Sequence, residues 1–533
     1  MPSPVVLMGR TWVLGVILAA ALGSVLRAQE ILDETAPAAT GDPMEQFQQA
    51  MTAGQAALDA KEYDAAVDAF SRAIAVSDYP PEPYAGRAMA LAGLKDYEAA
   101  DKDFGEALVK NPESVPALVG RGEMRLELGA ADLALADFQQ AIEQERSNAR
   151  ALFGLGKAYV LLGGGDRAIR PLTRYLESEA KEEEKLAEVY RLRGQSYAAI
   201  DKMPEAMQDI QESLKIDPED YETYAVLAAI LYRQEDLVNS LRSISVAIEK
   251  YVPDPENPQP YVQGYLTKTS ILIDLAEIIP DEKLKYEAYQ AAIFVSEQLL
   301  QQVGEAPQYA AIRSAAMFGR GVALRMQGNL DDAIESFSVA IQLNPESAEA
   351  YFRRGICYFS IGEERLAIAD FKQAGIIGIE DPRARLWEGL TYTKKGEHYE
   401  AVRAYGQAIA ESDRYIPAYV NRGLTYMQLG EYDKAIDDFN EAIRLEPTAA
   451  PHFFKRGVAY AELGDQKKAA DSFASAIEFD NKYVPAYRHM ADSMTALGHG
   501  ELADQYRSKA QELEVASEKS PPASVMPPSD QAG

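Results

Sequence analysis

Residues able to carry out chemistry are few and scattered in this sequence. Cys357 is the only cysteine, so no disulfide or cysteine-rich metal site can form within the sequence, and a small buried residue is its expected role. The four histidines lie far apart, and none has the spacing of an HExxH motif: His398, His452, His489 and His499. These residues predict no metal site, no cofactor and no activated nucleophile.

Adjacent carboxylates are the next candidates for catalysis. Asp331 with Asp332, and Asp437 with Asp438, could in principle act as a general acid and base. Their surroundings favour solvated positions on the outer surface of helices instead. The glycines occur singly, so no phosphate-binding loop is indicated, and no stretch has room for a separate catalytic domain. We therefore predict that the chain is not an enzyme.

Small and aromatic residues recur every 34 positions in the second half of the chain. The first glycine of each period is Gly321, Gly355, Gly389, Gly423 or Gly457. The matching aromatic residue, flanked by alanines at spacings of three and four, is Phe337, Phe371, Tyr405, Phe439 or Phe473. Such spacings place side chains on one helical face, where the glycine is best explained by close contact with another helix. A second glycine, seven residues after the first, suits a helix C-terminus.

This pattern resembles the tetratricopeptide repeat, most fully in residues 416–448. The resemblance implies an all-α fold: a right-handed superhelical solenoid of antiparallel helix pairs, in which the first helix of each pair lines a concave groove. The same spacing occurs upstream at Gly54, Ala88, Gly122 and Gly156, with Phe70, Phe104, Phe138 and Leu172 at the aromatic position. Two arrays are therefore expected.

The expected organisation follows from where this pattern begins, weakens and stops. Residues 253–313 form a degenerate elongated repeat or a hinge, and the segment from Lys181 to Lys185 is expected to be a solvated extension. The predicted divisions are an N-terminal array at 44–252, a C-terminal array at 314–483, a capping helix pair at 484–513 and a disordered proline-rich tail at 514–533.

The first residues predict export from the cytoplasm. Arg10 precedes an apolar run over residues 11–26, so residues 1–28 are interpreted as a signal peptide or an N-terminal anchor, followed by a disordered linker at 29–43. The protein would then be periplasmic, secreted or membrane-anchored with its repeats outside the cytoplasm. Membrane contact is expected only through residues 11–26, and only if they are not cleaved.

The net charge of -30 makes nucleic acid a poor partner, because acidic surfaces repel polyanions. The resemblance implies a protein or peptide partner bound at variable positions of the first helices. We interpret these positions as the binding strip, which contains Phe352, Arg353, Trp387, Lys394, Asn421, Phe454 and Lys455. Two alternatives stay open: a self-assembling structural component of an envelope complex, and a carbohydrate-binding or polymer-export accessory protein. The oligomeric state is also left open.

Overall fold

The computed structural model describes residues 42–255, 258–378 and 381–518. Within these ranges there are 26 α-helices and no strand, which confirms the all-α prediction. Each odd-numbered helix below packs against the helix that follows it, through a short connection, so the repeating unit is an antiparallel helix pair. The chain divides into two compact units between Glu219 and Asp220, called unit 1 and unit 2.

Unit 1 contains five helix pairs and a short 3-10 turn at Glu183–Lys185. Its helices are α1 (Pro43–Asp59), α2 (Tyr63–Val76), α3 (Glu82–Gly93), α4 (Tyr97–Lys110), α5 (Val115–Glu127), α6 (Ala131–Gln144), α7 (Ala149–Leu161), α8 (Gly165–Glu177), α9 (Leu186–Ala199) and α10 (Met203–Ile216).

Unit 2 contains the remaining pairs and a 3-10 turn at Pro307–Tyr309. Its helices are α11 (Tyr221–Arg233), α12 (Leu237–Lys250), α13 (Val262–Ile278), α14 (Glu282–Val303), α15 (Ala310–Met326), α16 (Leu330–Leu343), α17 (Ala348–Ile361), α18 (Glu364–Ile377), α19 (Pro382–Lys394), α20 (His398–Glu411), α21 (Ile416–Gln428), α22 (Tyr432–Leu445), α23 (Ala450–Leu463), α24 (Gln466–Phe479), α25 (Val484–Ala496) and α26 (Gly500–Glu518).

The periodic glycine and aromatic residues meet inside each pair, as the spacing predicted. Tyr405 is fully buried, and a Cβ atom added at Gly389 would lie 2.4 Å from its ring. In unit 1 one ring lies between two glycines, because Phe138 approaches both Gly122 and Gly154. The aromatic ring therefore fills the space that the missing side chains leave, and it holds the first helices close together.

The second glycine of the period ends the first helix, which confirms its predicted role. Gly362 and Gly464 are C-caps with φ values of 85° and 90°, a left-handed conformation that glycine adopts without steric penalty. In unit 1, Lys95 takes this conformation with φ 61°. The turn geometry is therefore kept even where glycine is absent.

A ladder of ion pairs links five of the arginines that precede the first glycine position to an aspartate 16 residues later. Arg320 and Arg456, at the same position, donate to Ser336 and Ser472 instead. Both carboxylate oxygens of the aspartate accept hydrogen bonds from the arginine, at 2.6 to 3.0 Å. The pairs are Arg87 with Asp103, Arg121 with Asp137, Arg193 with Asp209, Arg354 with Asp370 and Arg422 with Asp438.

This ladder corrects one expectation about the acidic pairs. Asp331, Asp332 and Asp437 are exposed, as predicted, but Asp438 is buried against Arg422. Burial raises the pKa of the Asp438 carboxyl above its ordinary value, and the hydrogen bonds from Arg422 oppose that shift. Asp438 is therefore a structural residue between helices and not a solvated one.

The segment predicted as an elongated repeat contains the long helices α13 and α14. Its second role, as a hinge, stays a prediction. At the C-terminal end α26 continues to Glu518, so the predicted boundary at residue 513 falls inside a helix. Arg507 replaces the usual aromatic residue there and is half exposed, as a terminal cap requires.

The predicted leader at 1–28, nearly all of the linker at 29–43 and most of the tail at 514–533 lie outside the described residues. Among the helices of the described ranges, none combines the length and the apolar character needed to cross a bilayer.

Candidate functional site

The binding strip runs along the first helices α17, α19, α21 and α23 of unit 2, one repeat apart. Arg353, Trp387, Asn421 and Lys455 occupy equivalent positions and are all half-buried, so part of each side chain reaches solvent. The periodic alanines and rings of the second helices, such as Ala401 and Tyr405, are buried by contrast. At these four positions, packing between helices therefore leaves part of each side chain available for contact with a partner.

Trp387 forms the aromatic centre of the strip. Its ring packs edge-on against Phe359 of α17, with centroids 5.4 Å apart, and lies 6.1 Å from the buried Phe371. Lys394, about two turns further along α19, places its ammonium 4.6 Å from the Phe359 ring centre and 3.6 Å from Glu364. These contacts connect neighbouring repeats and fix the orientation of the indole.

Charged side chains surround the end of the strip at α17, called its upper end. Arg353 donates to Glu349 at 2.7 Å, and Glu349 also accepts a hydrogen bond from Arg383 at 3.1 Å. Arg383 in turn bonds Asp381, and its guanidinium lies 5.0 Å from the Phe352 ring centre. Burial alone would raise the pKa of the Asp381 carboxyl, but the hydrogen bonds and charge of Arg383 together outweigh it and hold that pKa below its ordinary value. Arg353 is thus held in place before any ligand arrives.

At the other end of the strip, at α23 and called its lower end, the positive charge is not neutralised by an ion pair among the residues that the structure describes. Lys455 is half-buried, and its loss of hydration lowers the pKa of its ammonium. No carboxylate of the described residues forms an ion pair with it. Asn421 donates its side-chain amide to the Pro417 carbonyl at 2.7 Å. An incoming hydrogen-bond acceptor would therefore meet a cation with an unused charge at this end.

Two members of the strip contribute mainly to packing. Phe352 is 4% exposed and lies 5.9 Å from the Phe371 ring, so it supports the strip from below. Phe454 is half-buried between Phe473 and the His489 ring, at 5.8 and 5.1 Å. Whether either ring also touches a partner stays a prediction.

Catalytic chemistry gains no support from the titratable groups. Cys357 is buried as predicted, and burial raises the pKa of its thiol to about 11, which disfavours the nucleophilic thiolate. His452 bonds Glu446 at 2.8 Å on a helix cap, away from the other histidines in sequence. Within the part of the chain that the structure describes, no three His, Cys, Asp or Glu side chains are grouped to hold a metal ion.

Unit 1 contains a pocket that the sequence did not indicate. It has a volume of about 560 Å³ and lies between the first helices α5 and α7 on one side and residues 178–185 on the other. We call residues 178–185 the strap and this cavity the strap pocket. Among the lining residues are Tyr97, Met124, Phe153, Lys157, Glu182 and Lys185.

Residues 181–184 of the strap are exposed, as expected for a solvated extension, and Lys185 is half-buried. The eight residues of the strap replace the four that connect α4 to α5 and α6 to α7. The buried Tyr175 hydroxyl accepts a hydrogen bond from the Glu182 backbone N–H at 2.9 Å, which ties the strap to α8. The sequence showed that this connection is longer than its equivalents, but it did not show which path the strap takes.

Known proteins share the repeat and cover different parts of the chain. Family models described as "Tetratricopeptide repeat" match residues 416–449 and 453–479, and one described as "TPR repeat" matches residues 122–163 and 321–362. Comparison with curated protein sequences gives no match.

Solved structures give partial likenesses. The crystal structure of MamA protein is 27% identical, with a TM-score of 0.30, and the alignment covers 32% of this chain and 93% of that one. Yeast Tom70 is 16% identical, with a TM-score of 0.35, over 90% of this chain and all of that one (100%). Cut9–Hcn1, described as an APC/C hetero-tetramer, is 15% identical, with a TM-score of 0.34, over 89% and 95%. The family models thus find tetratricopeptide repeats in four segments of the chain.

Proposed function

Because the chain contains tetratricopeptide repeats, we propose that it is a non-catalytic scaffold that binds a protein or peptide partner along the first helices of unit 2. One observation carries the proposal. Equivalent first-helix positions hold the half-exposed Arg353, Trp387, Asn421 and Lys455, whereas equivalent second-helix positions hold small or aromatic residues that are buried.

The strip has the composition of a binding hot spot. Tryptophan and arginine are enriched among residues that dominate interface energies, and both are already oriented here by neighbouring side chains. Lys455 adds a cation that a partner carboxylate would neutralise. A partner segment crossing α17 to α23 would thus meet a guanidinium, an aromatic ring, an amide and an ammonium in that order.

A pull-down from the source cell tests this proposal. The unmutated chain should capture a partner, and Trp387→Ala should weaken its binding by about 2 kcal/mol or more, as truncation of a hot spot does. The matched control is Tyr399→Ala, which removes an exposed ring from the second helix α20. Equal capture by both variants would contradict a role for the strip, and circular dichroism of each variant checks that the fold is intact.

The charge at the lower end of the strip allows an independent test. We expect Lys455→Glu to reduce partner affinity and its dependence on salt, because it places a carboxylate where a partner acceptor would bind. Lys467→Glu makes the same charge change at an exposed position on the second helix α24. If both variants lose affinity equally, net charge and not the strip explains the effect.

We also propose that the protein acts outside the cytoplasm, in the cell envelope. The basis is the apolar run at residues 11–26 after Arg10. Cell fractionation with mass spectrometry of the N-terminus tests the location. A full-length, unprocessed chain recovered only from the cytosol would contradict it.

A further inference from the structure

We propose that the strap pocket of unit 1 is a second binding site, which receives a peptide segment carrying a carboxylate beside an apolar side chain. This site is separate from the strip of unit 2, so it does not depend on the function proposed there. Its volume of about 560 Å³ falls within the ~300–1,000 Å³ of ordinary ligand pockets. It therefore has room for one large side chain and the backbone around it.

The floor of the pocket is aromatic and preorganised. Phe153 lies 5.8 Å from Tyr175, ring centre to ring centre, and Tyr175 is 1% exposed. Met124 and Tyr97 complete the apolar lining. A leucine or phenylalanine of a partner would bury apolar surface here without first rearranging the floor.

Two cations lie next to this floor. The ammonium groups of Lys157 and Lys185 are 6.0 and 5.7 Å from the centre of the same Phe153 ring. Lys157 is neutralised by Glu188 at 3.0 Å. Lys185 forms no ion pair with any carboxylate of the described residues, so its charge is available to a ligand.

Three glutamates also line the pocket. Glu127 and Glu182 are exposed, so solvent screens their charge more than that of the half-buried Lys157 and Lys185, and Glu123 is paired. Both oxygens of Glu123 accept hydrogen bonds from Arg150, at 3.1 and 2.6 Å, and Glu188 is held by Lys157. A cationic group entering above Phe153 would be repelled by the unpaired ammonium of Lys185, whereas a carboxylate would be attracted by it. Charge complementarity therefore selects an acidic segment in a protein that is otherwise strongly acidic.

The strap sets the position of Lys185. The Glu182 backbone is tied to the Tyr175 hydroxyl, and Lys185 follows in the 3-10 turn, where its N–H donates to the Glu182 carbonyl at 3.1 Å. Tyr175 is therefore a positioning residue. Tyr175→Phe keeps the buried ring but releases the strap, so it should weaken ligand binding without removing any charge.

Selection from a random peptide library tests the proposal. The full chain carrying Trp387→Ala and Lys455→Glu is used as bait, so that binding through the strip of unit 2 does not contribute. We expect the selected peptides to pair Asp or Glu with a neighbouring aromatic or aliphatic residue. A selected peptide should bind at least about tenfold more weakly to the same bait with Lys185→Glu added, and more weakly with Tyr175→Phe.

The matched control changes the same charge in the same strap. Lys181 is exposed, bonds only the Leu176 carbonyl and does not line the pocket, so Lys181→Glu should leave affinity within about twofold. Selected peptides without carboxylates, equal losses with Lys181→Glu and Lys185→Glu, or no selected peptides at all would overturn the proposal. Partner capture by the unmutated chain tests the strip separately.

Discussion

Two adjacent carboxylates of α22 have different roles: one is buried in an ion pair, and the other is exposed to solvent. Asp438 is 4% exposed and receives two hydrogen bonds from Arg422, while its neighbour Asp437 points to solvent. Removing one member of a buried pair leaves the other charge unpaired, which costs more than the pair itself contributes. The two positions therefore form a natural comparison.

We expect Asp438→Ala to lower the free energy of unfolding of unit 2 by about 3 kcal/mol, because Arg422 loses its only described carboxylate partner. Asp437→Ala should change it by less than about 0.5 kcal/mol. Thermal or urea unfolding followed by circular dichroism gives both values. Similar losses for the two variants would show that the ladder does not stabilise the fold in the way described.

Glycine is required at some helical positions and dispensable at others. Gly389 and Gly406 lie in the two helices of one pair, but a Cβ at Gly389 would meet the Tyr405 ring at 2.4 Å, whereas at Gly406 the nearest atom is 3.6 Å away. We expect Gly389→Ala to destabilise unit 2 by about 1–3 kcal/mol through overpacking. Gly406→Ala should stabilise it by up to about 1 kcal/mol through helix propensity. Unfolding midpoints of the two variants should therefore shift in opposite directions.

At the scale of helices, one pair reverses the ladder's charge. Glu388 stands at the position that holds arginine in the five ladder pairs, and Ala404 stands where those pairs have aspartate. Glu388 is 2% exposed and receives a hydrogen bond from Arg385 at 3.1 Å, with Lys372 at 3.8 Å. The cations now come from the same helix and from the preceding second helix, so the buried charge remains neutralised.

Neutralising Glu388 should therefore destabilise the junction of α18, α19 and α20. We expect Glu388→Gln to cost about 2 kcal/mol, because Arg385 keeps only Glu411 as a partner. Glu462→Gln, at an exposed position on α23, is the matched control and should be neutral. Hydrogen exchange can locate the effect, and unchanged protection in α19 would count against it.

The helix pairs were predictable because their contacts repeat at a fixed spacing. The contact between a glycine and an aromatic ring requires the same residue types in each repeat. The pattern is therefore visible in the sequence without a structure. The Arg–Asp ladder was overlooked although it left a signal: arginine directly precedes the first glycine position, as in Arg354, and aspartate directly precedes the ring position, as in Asp370. Charged residues read individually suggested solvated surface, and only their common spacing of 16 residues reveals the pairing.

The binding surfaces were predictable to different degrees. Trp387 and Lys455 could be placed on first helices by register alone. The strap pocket could not, because it depends on the direction of one irregular segment and on the hydrogen bond between Tyr175 and Glu182. Local secondary-structure propensity specifies neither the direction of the segment nor this hydrogen bond. Such pockets require the positions of side chains as well as the repeat.

Over the whole molecule, buried phenols should limit stability at high pH. Burial raises the pKa of Tyr289 and Tyr415 to about 12, and neither hydroxyl has a hydrogen-bond partner among the described residues. The folded chain therefore holds these protons more tightly than the unfolded chain, whose tyrosines ionise near pH 10. Their contribution is complete below about pH 10 and is lost as the pH rises towards 12.

Replacing both tyrosines with phenylalanine tests this account. The loss of stability between pH 10 and 12 should become smaller, by on the order of 2 kcal/mol per tyrosine at the upper end. Stability at neutral pH should be kept, because each removed hydroxyl makes no hydrogen bond in the described structure. Urea unfolding at a series of pH values measures both effects. Tyr399→Phe, at an exposed ring, is the control. If the double variant loses as much stability between pH 10 and 12 as the unmutated chain, the loss originates in other groups.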